Sequence, residues 1–184
     1  MPNKKKIDCV ILGLLSHEEL TGYEIKKRID TTIKYFWSAS YASIYPTLSD
    51  LVDRRFVTKK ESNENKRNKF VYTITDKGRR YLHEWLKLPA ENHEFHCETL
   101  IKIFFGNEQE PTQVLLHIKT FERKIKKELQ YLLEAKQNLK SCLDDDYAHK
   151  YYLFTLEFGI KNYRTYLEWC EKSEKLLKEM GNKQ

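Results

Sequence analysis

Apolar residues recur at helical spacing near the start of the chain. Ile7, Val10, Ile11, Leu14 and Leu15 share one face and predict a first helix over Ile7 to Ser16. After a short polar turn, Thr21-Gly22-Tyr23-Glu24 has the T-x-x-E form of a capping box. The Thr21 hydroxyl can accept from the Glu24 amide while the Glu24 carboxylate reaches back to the Thr21 amide. Leu20 and Ile25 flank it as a hydrophobic staple, and a second helix should run to about Ile33.

Ile44, Leu48, Leu51, Val52 and Arg55 imply a third helix. It should begin near Ala42 to Tyr45, with Pro46 in its first turn, where a missing N–H has no partner to lose. The face opposite the apolar one carries Ala42, Pro46, Ser49 and Asp53, bordered by Ser43 and Asp50, with Tyr45 on the other flank. That surface is small and polar enough to enter a groove.

Phe56 to Lys60 and Phe70 to Thr75 are β-rich runs on either side of a polar connection, and the second alternates as a strand does. They predict a long-looped hairpin. Thr75 or Asp76 then caps a fourth helix through Tyr81, Leu82, Trp85 and Leu86, ending before Pro89. Three helices, a β-hairpin and a helix, in that order, is the winged helix-turn-helix pattern.

The second half reads as helix alone, so the fold class is mainly α. Phe95 to Phe105 is a short amphipathic segment closed by Gly106-Asn107. A long helix should start at Pro111 and reach about Leu143, with Val114, Ile118, Phe121, Ile125, Leu129, Leu132 and Leu139 as its stripe. Asp144-Asp145-Asp146 interrupts it. A last helix to about Met180 carries Tyr152, Leu156, Tyr163, Tyr166, Leu167, Cys170 and Leu177. These coiled-coil-like stripes predict helix–helix association within a protomer, between protomers, or both. The expected domains are 1–88 (winged helix-turn-helix), 89–110 (a connection with a short helix) and 111–184 (helical dimerisation region).

Composition adds one decisive feature. Residues 1–88 hold 18 Lys and Arg against 11 Asp and Glu, while the remainder holds 15 against 16. All the surplus positive charge therefore sits in the first half, which points to a polyanionic partner for that half. The 184-residue chain has no apolar run long enough for a membrane span, and its basic N-terminus lacks a signal-peptide pattern. Cys9, Cys97, Cys142 and Cys170 are far apart and fit reduced thiols in a cytoplasmic protein. His93, His96 and Cys97 form the one cluster resembling metal ligands, without a fourth-ligand motif. No zincin, triad or phosphate-loop context surrounds any His, so neither an enzyme nor a cofactor is expected.

Several segments resemble the PadR family of transcriptional regulators. They are Ile11-Leu12-Gly13-Leu14-Leu15, Thr21-Gly22-Tyr23-Glu24-Ile25, Ile44-Tyr45-Pro46-Thr47-Leu48, Leu51-Val52-Asp53-Arg54-Arg55-Phe56-Val57 and Tyr72-Thr73-Ile74-Thr75-Asp76-Lys77-Gly78. The helical tail is similar to the C-terminal region of the longer PadR subgroup. The resemblance implies a sequence-specific regulator of transcription, more often a repressor. It would bind a palindromic operator in double-stranded DNA as a homodimer, and a small apolar or aromatic effector is a further implied partner.

On this reading the DNA-binding residues are Tyr23, Tyr41, Ser43, Tyr45, Thr47, Ser49, Arg54, Arg55 and the wing residues Lys66, Arg67 and Lys69. Lys4, Lys5 and Lys6 would form a basic arm. The alternative for Tyr45 is packing under the wing, and for the charged residues simple solvation. Ile118, Phe121, Ile125, Leu132, Tyr152, Leu156, Tyr163 and Tyr166 are the expected dimerisation residues. Of 24 aromatic residues, eight fall between Tyr147 and Trp169, which core or interface packing accounts for. The sharper reading is an effector cavity using Trp85, Phe158 and Trp169. The competing function is a winged-helix protein-interaction module without DNA binding, which the charge concentrated in the first half disfavours.

Overall fold

The computed structural model describes residues 2–62, 69–90, 97–141 and 147–181. The chain divides into two compact units, Met1–Asn92 and His93–Gln184. In the first, the order is α1 (Pro2–Leu15), β1 (Leu20–Thr21), α2 (Gly22–Arg28), α3 (Tyr41–Asp53), β2 (Val57–Ser62), β3 (Lys69–Ile74) and α4 (Asp76–Lys87). The second contains α5 (Glu98–Phe104), α6 (Pro111–Ser141) and α7 (Tyr147–Gly181).

Local chemistry accounts for most boundaries. The capping box of α2 is present in full: the Thr21 side chain accepts from the Glu24 amide and Glu24 accepts from the Thr21 amide at 2.8 Å. Beyond Arg28 the expected helix continues only as a π-helical turn, Ile29–Ile33. There Thr31 and Thr32 donate their hydroxyls back to the carbonyls of Lys27 and Arg28, loosening the regular ladder. α1 reaches back to Pro2, so the basic N-terminal run is helical rather than a free arm.

α3 begins at Tyr41, which places Pro46 in the second turn instead of the first. The carbonyl of Ala42 thereby loses its helical donor, but Ala42 and Pro46 are both exposed and water can replace it. The helix also stops earlier than its apolar spacing predicts. Arg55 adopts φ 59°, the Arg55 amide donates to Val52 and the Phe56 amide donates to Leu51. This is a Schellman stop with an arginine where glycine is the usual occupant.

The sheet has the order β1-β3-β2, antiparallel throughout, with Leu20 opposite Tyr72 and Val57 opposite Ile74. Tyr72 and Ile74 face the core while Phe70 is exposed, with the Lys59 ammonium 3.6 Å from its ring centroid. Ile11, Leu12, Ile25, Ile29, Ile44, Leu48 and Leu51 are fully buried where α1, α2 and α3 meet. Thr75 caps α4 by accepting from the Gly78 amide.

In the second unit α6 and α7 pack as an antiparallel hairpin. Lys119 pairs with Glu174 and Lys136 with Glu157, so 17 residues forward on one helix match 17 backward on the other. Val114, Ile118 and Cys170 form the centre of its core, with Ile103, Phe121, Trp169 and Leu177 around them.

Candidate nucleic-acid interface

The α2–turn–α3 pair presents one face of α3 outward. Tyr41, Ala42, Tyr45, Pro46, Ser49 and Asp53 are exposed, whereas Ile44, Thr47, Leu48 and Leu51 point into the core. Tyr41 and Tyr45, one turn apart, stack at 6.0 Å with an interplanar angle of 19°. The Lys26 ammonium lies 5.7 Å from the Tyr41 centroid. A helix face of this width and chemistry fits the major groove, about 12 Å wide in B-form DNA.

Beside that face is a cleft of about 480 Å³ between the start of α2, the middle of α3 and strand β3. Tyr23, Lys27, Tyr45 and Lys69 line it, with Tyr72 and Phe70 behind. Two lysines on different elements thus line one cleft with Tyr45. Burial raises the pKa of the Tyr72 hydroxyl, and the nearby Tyr45 adds to the effect. The Glu24 carboxyl is held below its ordinary value, first by the Thr21 amide and then by the Thr21 hydroxyl, with Lys69 and Arg28 contributing. Glu24 therefore serves as a cap in the wall of the cleft.

Two residues expected at the interface are turned inward. Thr47 is buried, and its hydroxyl donates to the Ser43 carbonyl at 2.8 Å, so it has no free group for DNA. Arg54 is committed to the fold: Nη1 donates to Asp8 at 2.7 Å and to Asp50 at 2.9 Å. Its guanidinium also lies over the rings of Phe56 and Tyr81, at 4.5 and 5.3 Å. Burial works against the Arg54 charge, but the bonds to Asp50, Asp8 and Tyr81 outweigh it and raise its pKa. Asp8 is buried, and its Oδ1 has no partner among the described residues. Nothing in the pattern of residues around Asp8 points to this pairing with Arg54.

Ser43 is half-buried and donates to the Ser40 carbonyl at the start of α3. Tyr23, Ser49, Arg55 and Lys69 are exposed. Lys66 and Arg67 lie outside the described residues, as do His93 and His96. Lys27 was missed from sequence, although it stands one helical turn after Tyr23 on the same face.

In the second unit, Ile118, Ile125, Leu132 and Leu156 are buried within one chain. Of the three arrangements that the stripes allow, packing within the chain accounts for these four, which line the inside of the α6–α7 hairpin. Phe121 is half-buried and packs near Tyr166 and Trp169, at 5.9 and 6.1 Å between ring centroids. Tyr163 is half-buried and Tyr152 exposed. Beside Tyr152, α7 also leaves open Tyr151, Phe154 and Phe158, at 63%, 67% and 53% exposure. Trp169 packs on the hairpin core and Trp85 on the core of the first unit.

A helix-turn-helix with a stranded wing, followed by a long helical hairpin, defines a winged helix-turn-helix protein of the two-unit kind. Residues 11–84 match the transcriptional regulator PadR-like family, and residues 97–178 match the virulence activator alpha C-terminal family. The first unit is thus similar to PadR-like regulators, and the second to the C-terminal region of the virulence activators. A negative transcriptional regulator, PadR of Bacillus subtilis, is 43% identical over 77 residues, which cover 41% of this chain and 42% of that relative. The match therefore spans well under half of the relative's length. Among solved structures, Bacillus subtilis PadR in complex with operator DNA superposes with a TM-score of 0.77 at 28% identity, covering 92% of this chain and 98% of that one. The same protein in complex with p-coumaric acid gives a TM-score of 0.73 at 26% identity, covering 94% and 98%. No helix among the described residues is long and apolar enough to cross a membrane.

Proposed function

We propose that this chain is a sequence-specific DNA-binding transcriptional repressor, acting in the cytoplasm as a homodimer on a palindromic operator and carrying out no enzymatic chemistry. The observation that carries the reading is the exposed Tyr45–Ser49 face of α3 flanked by Lys27 and Lys69. Tyrosine and serine hydroxyls can meet base edges or phosphate oxygens, and the lysines supply phosphate contacts that set register. Residues 1–88 would bind DNA, 111–184 would dimerise, and 89–110 would join them. The exposed Tyr151, Phe154 and Phe158 row is an apolar surface of the kind that protein–protein contacts use. A small aromatic effector fits the likeness to the p-coumaric acid complex.

Selection of bound duplexes from a random DNA pool tests the reading. Enrichment of a palindrome, weakened by Tyr45→Ala, is the expected result. A folded protein that enriches nothing at low salt would sink it and favour a protein-interaction role.

A further inference from the structure

We propose that Gly22 is a positioning residue for DNA recognition, present so that the Tyr45 ring can lie flat against the start of α2. The proposal rests on the DNA-binding reading above and adds a residue that touches no DNA itself. A Cβ on Gly22 would fall 2.6 Å from Tyr45 Cε1, 3.1 Å from Cζ and 3.3 Å from the hydroxyl oxygen. Carbon atoms do not approach to 2.6 Å, so any other residue at this position displaces the ring.

The backbone does not require glycine here. Gly22 is the first residue of α2 and has no positive φ, and alanine is the better helix former. Local propensity therefore favours alanine, and the three atoms nearest to such a side chain all belong to the far end of Tyr45. Gly78 makes the contrast: a Cβ there would meet the Phe56 carbonyl oxygen at 2.2 Å, a backbone atom that cannot swing aside. The two glycines act differently, one accommodating the fold and the other a single ring.

With Gly22 below it, Tyr45 is held from several directions. Tyr41 stacks against it, Tyr72 lies within electrostatic reach of its hydroxyl, and Lys27 and Lys69 border the same cleft. A side chain already fixed in its binding position loses less rotamer freedom on association, so its hydroxyl contributes more to affinity. Moving the ring by the width of a methyl group would spoil hydrogen-bond geometry that is sensitive to a few tenths of an ångström.

The test is a mutant cycle on the full-length protein with the duplex it selects. Gly22→Ala should lower affinity by roughly tenfold, about 1.4 kcal/mol, while leaving the melting temperature close to the parent's. The loss should shrink in Tyr45→Phe, which keeps the clashing ring carbons but has no hydroxyl to misplace, and vanish in Tyr45→Ala. The ring resonances of Tyr45 in selectively labelled protein should shift in Gly22→Ala. An equal loss in all three backgrounds would overturn the proposal, as would unchanged affinity. So would a Gly22→Ala protein that fails to fold even with Tyr45→Ala, since the glycine would then serve the backbone. A parent that selects no duplex would defeat the regulator reading, and the ring shift alone would still decide whether Gly22 seats Tyr45.

Discussion

Asp8 in α1 and Arg54 at the end of α3 meet at 2.7 Å, the carboxylate almost fully buried and the guanidinium about one-third exposed. The contact ties the first helix to the end of the helix that presents the interface. Asp50 shares the same guanidinium nitrogen at 2.9 Å, and Phe56 and Tyr81 cover the guanidinium plane. Removing Arg54 would leave Asp8 buried without a cation. Arg54→Ala should therefore cost about 2–4 kcal/mol in urea unfolding, the lower end reflecting the solvent that already reaches the guanidinium. The folded fraction should still bind DNA with an unchanged salt slope. A lower salt slope together with unchanged stability would instead make Arg54 a phosphate contact.

Arg55, the next residue, has the opposite character. Its φ of 59° is a conformation that glycine adopts freely and arginine does not. Arg55→Gly should raise stability by about 0.5–1 kcal/mol, since the left-handed stop of α3 would lose its steric penalty. An exposed arginine kept at some cost to the fold fits a role in binding. The same variant should bind DNA more weakly, with a smaller dependence on salt. Greater stability with undiminished binding would leave Arg55 no part in the interface.

What the sequence made legible was what local chemistry determines. The Thr21–Glu24 box, the Thr75 cap and the alternation of Tyr72 and Ile74 each depend on neighbours a few residues away, and each is present. Strand β1 escaped notice because two residues carry no period; only their pairing with Tyr72 and Val71 makes them a strand. Arg54 was read as a phosphate contact because nothing in its neighbourhood points to Asp8, 46 positions earlier. The stripes of α6 and α7 were legible as stripes, but a heptad pattern does not say whose helix fills it. Here Ile118, Ile125, Leu132 and Leu156 are filled from within the chain.

Glu24 gives the cap of α2 a pH dependence whose sign follows from its hydrogen bonds. The Thr21 amide and hydroxyl favour the ionised carboxyl, so the folded value lies below the ordinary 4.5. A lowered folded pKa means stability fully present above the unfolded value and lost as pH falls through the folded one. The parent should therefore lose more stability than Glu24→Gln between about pH 6 and about pH 3, measured by urea midpoints. The difference should be small, because Glu24 is exposed. Parallel curves for the two proteins would show that the carboxylate contributes nothing to the cap.

Lys27 and Lys69 come from α2 and β3, and reach one cleft only because the wing folds back beside the helix-turn-helix. If both meet phosphates, their contribution is electrostatic and independent of sequence. Each substitution to alanine should weaken all duplexes alike and flatten the plot of log affinity against log salt by about one unit per contact, hence about two per dimer. Tyr45→Ala should do the reverse, reducing preference for the selected palindrome with little change in slope. The two effects separate cleanly in one titration series, run with the cognate and a scrambled duplex from about 50 to 200 mM salt. If the lysine variants lost preference and Tyr45→Ala lost slope, the roles assigned to the two walls of the cleft would have to be exchanged.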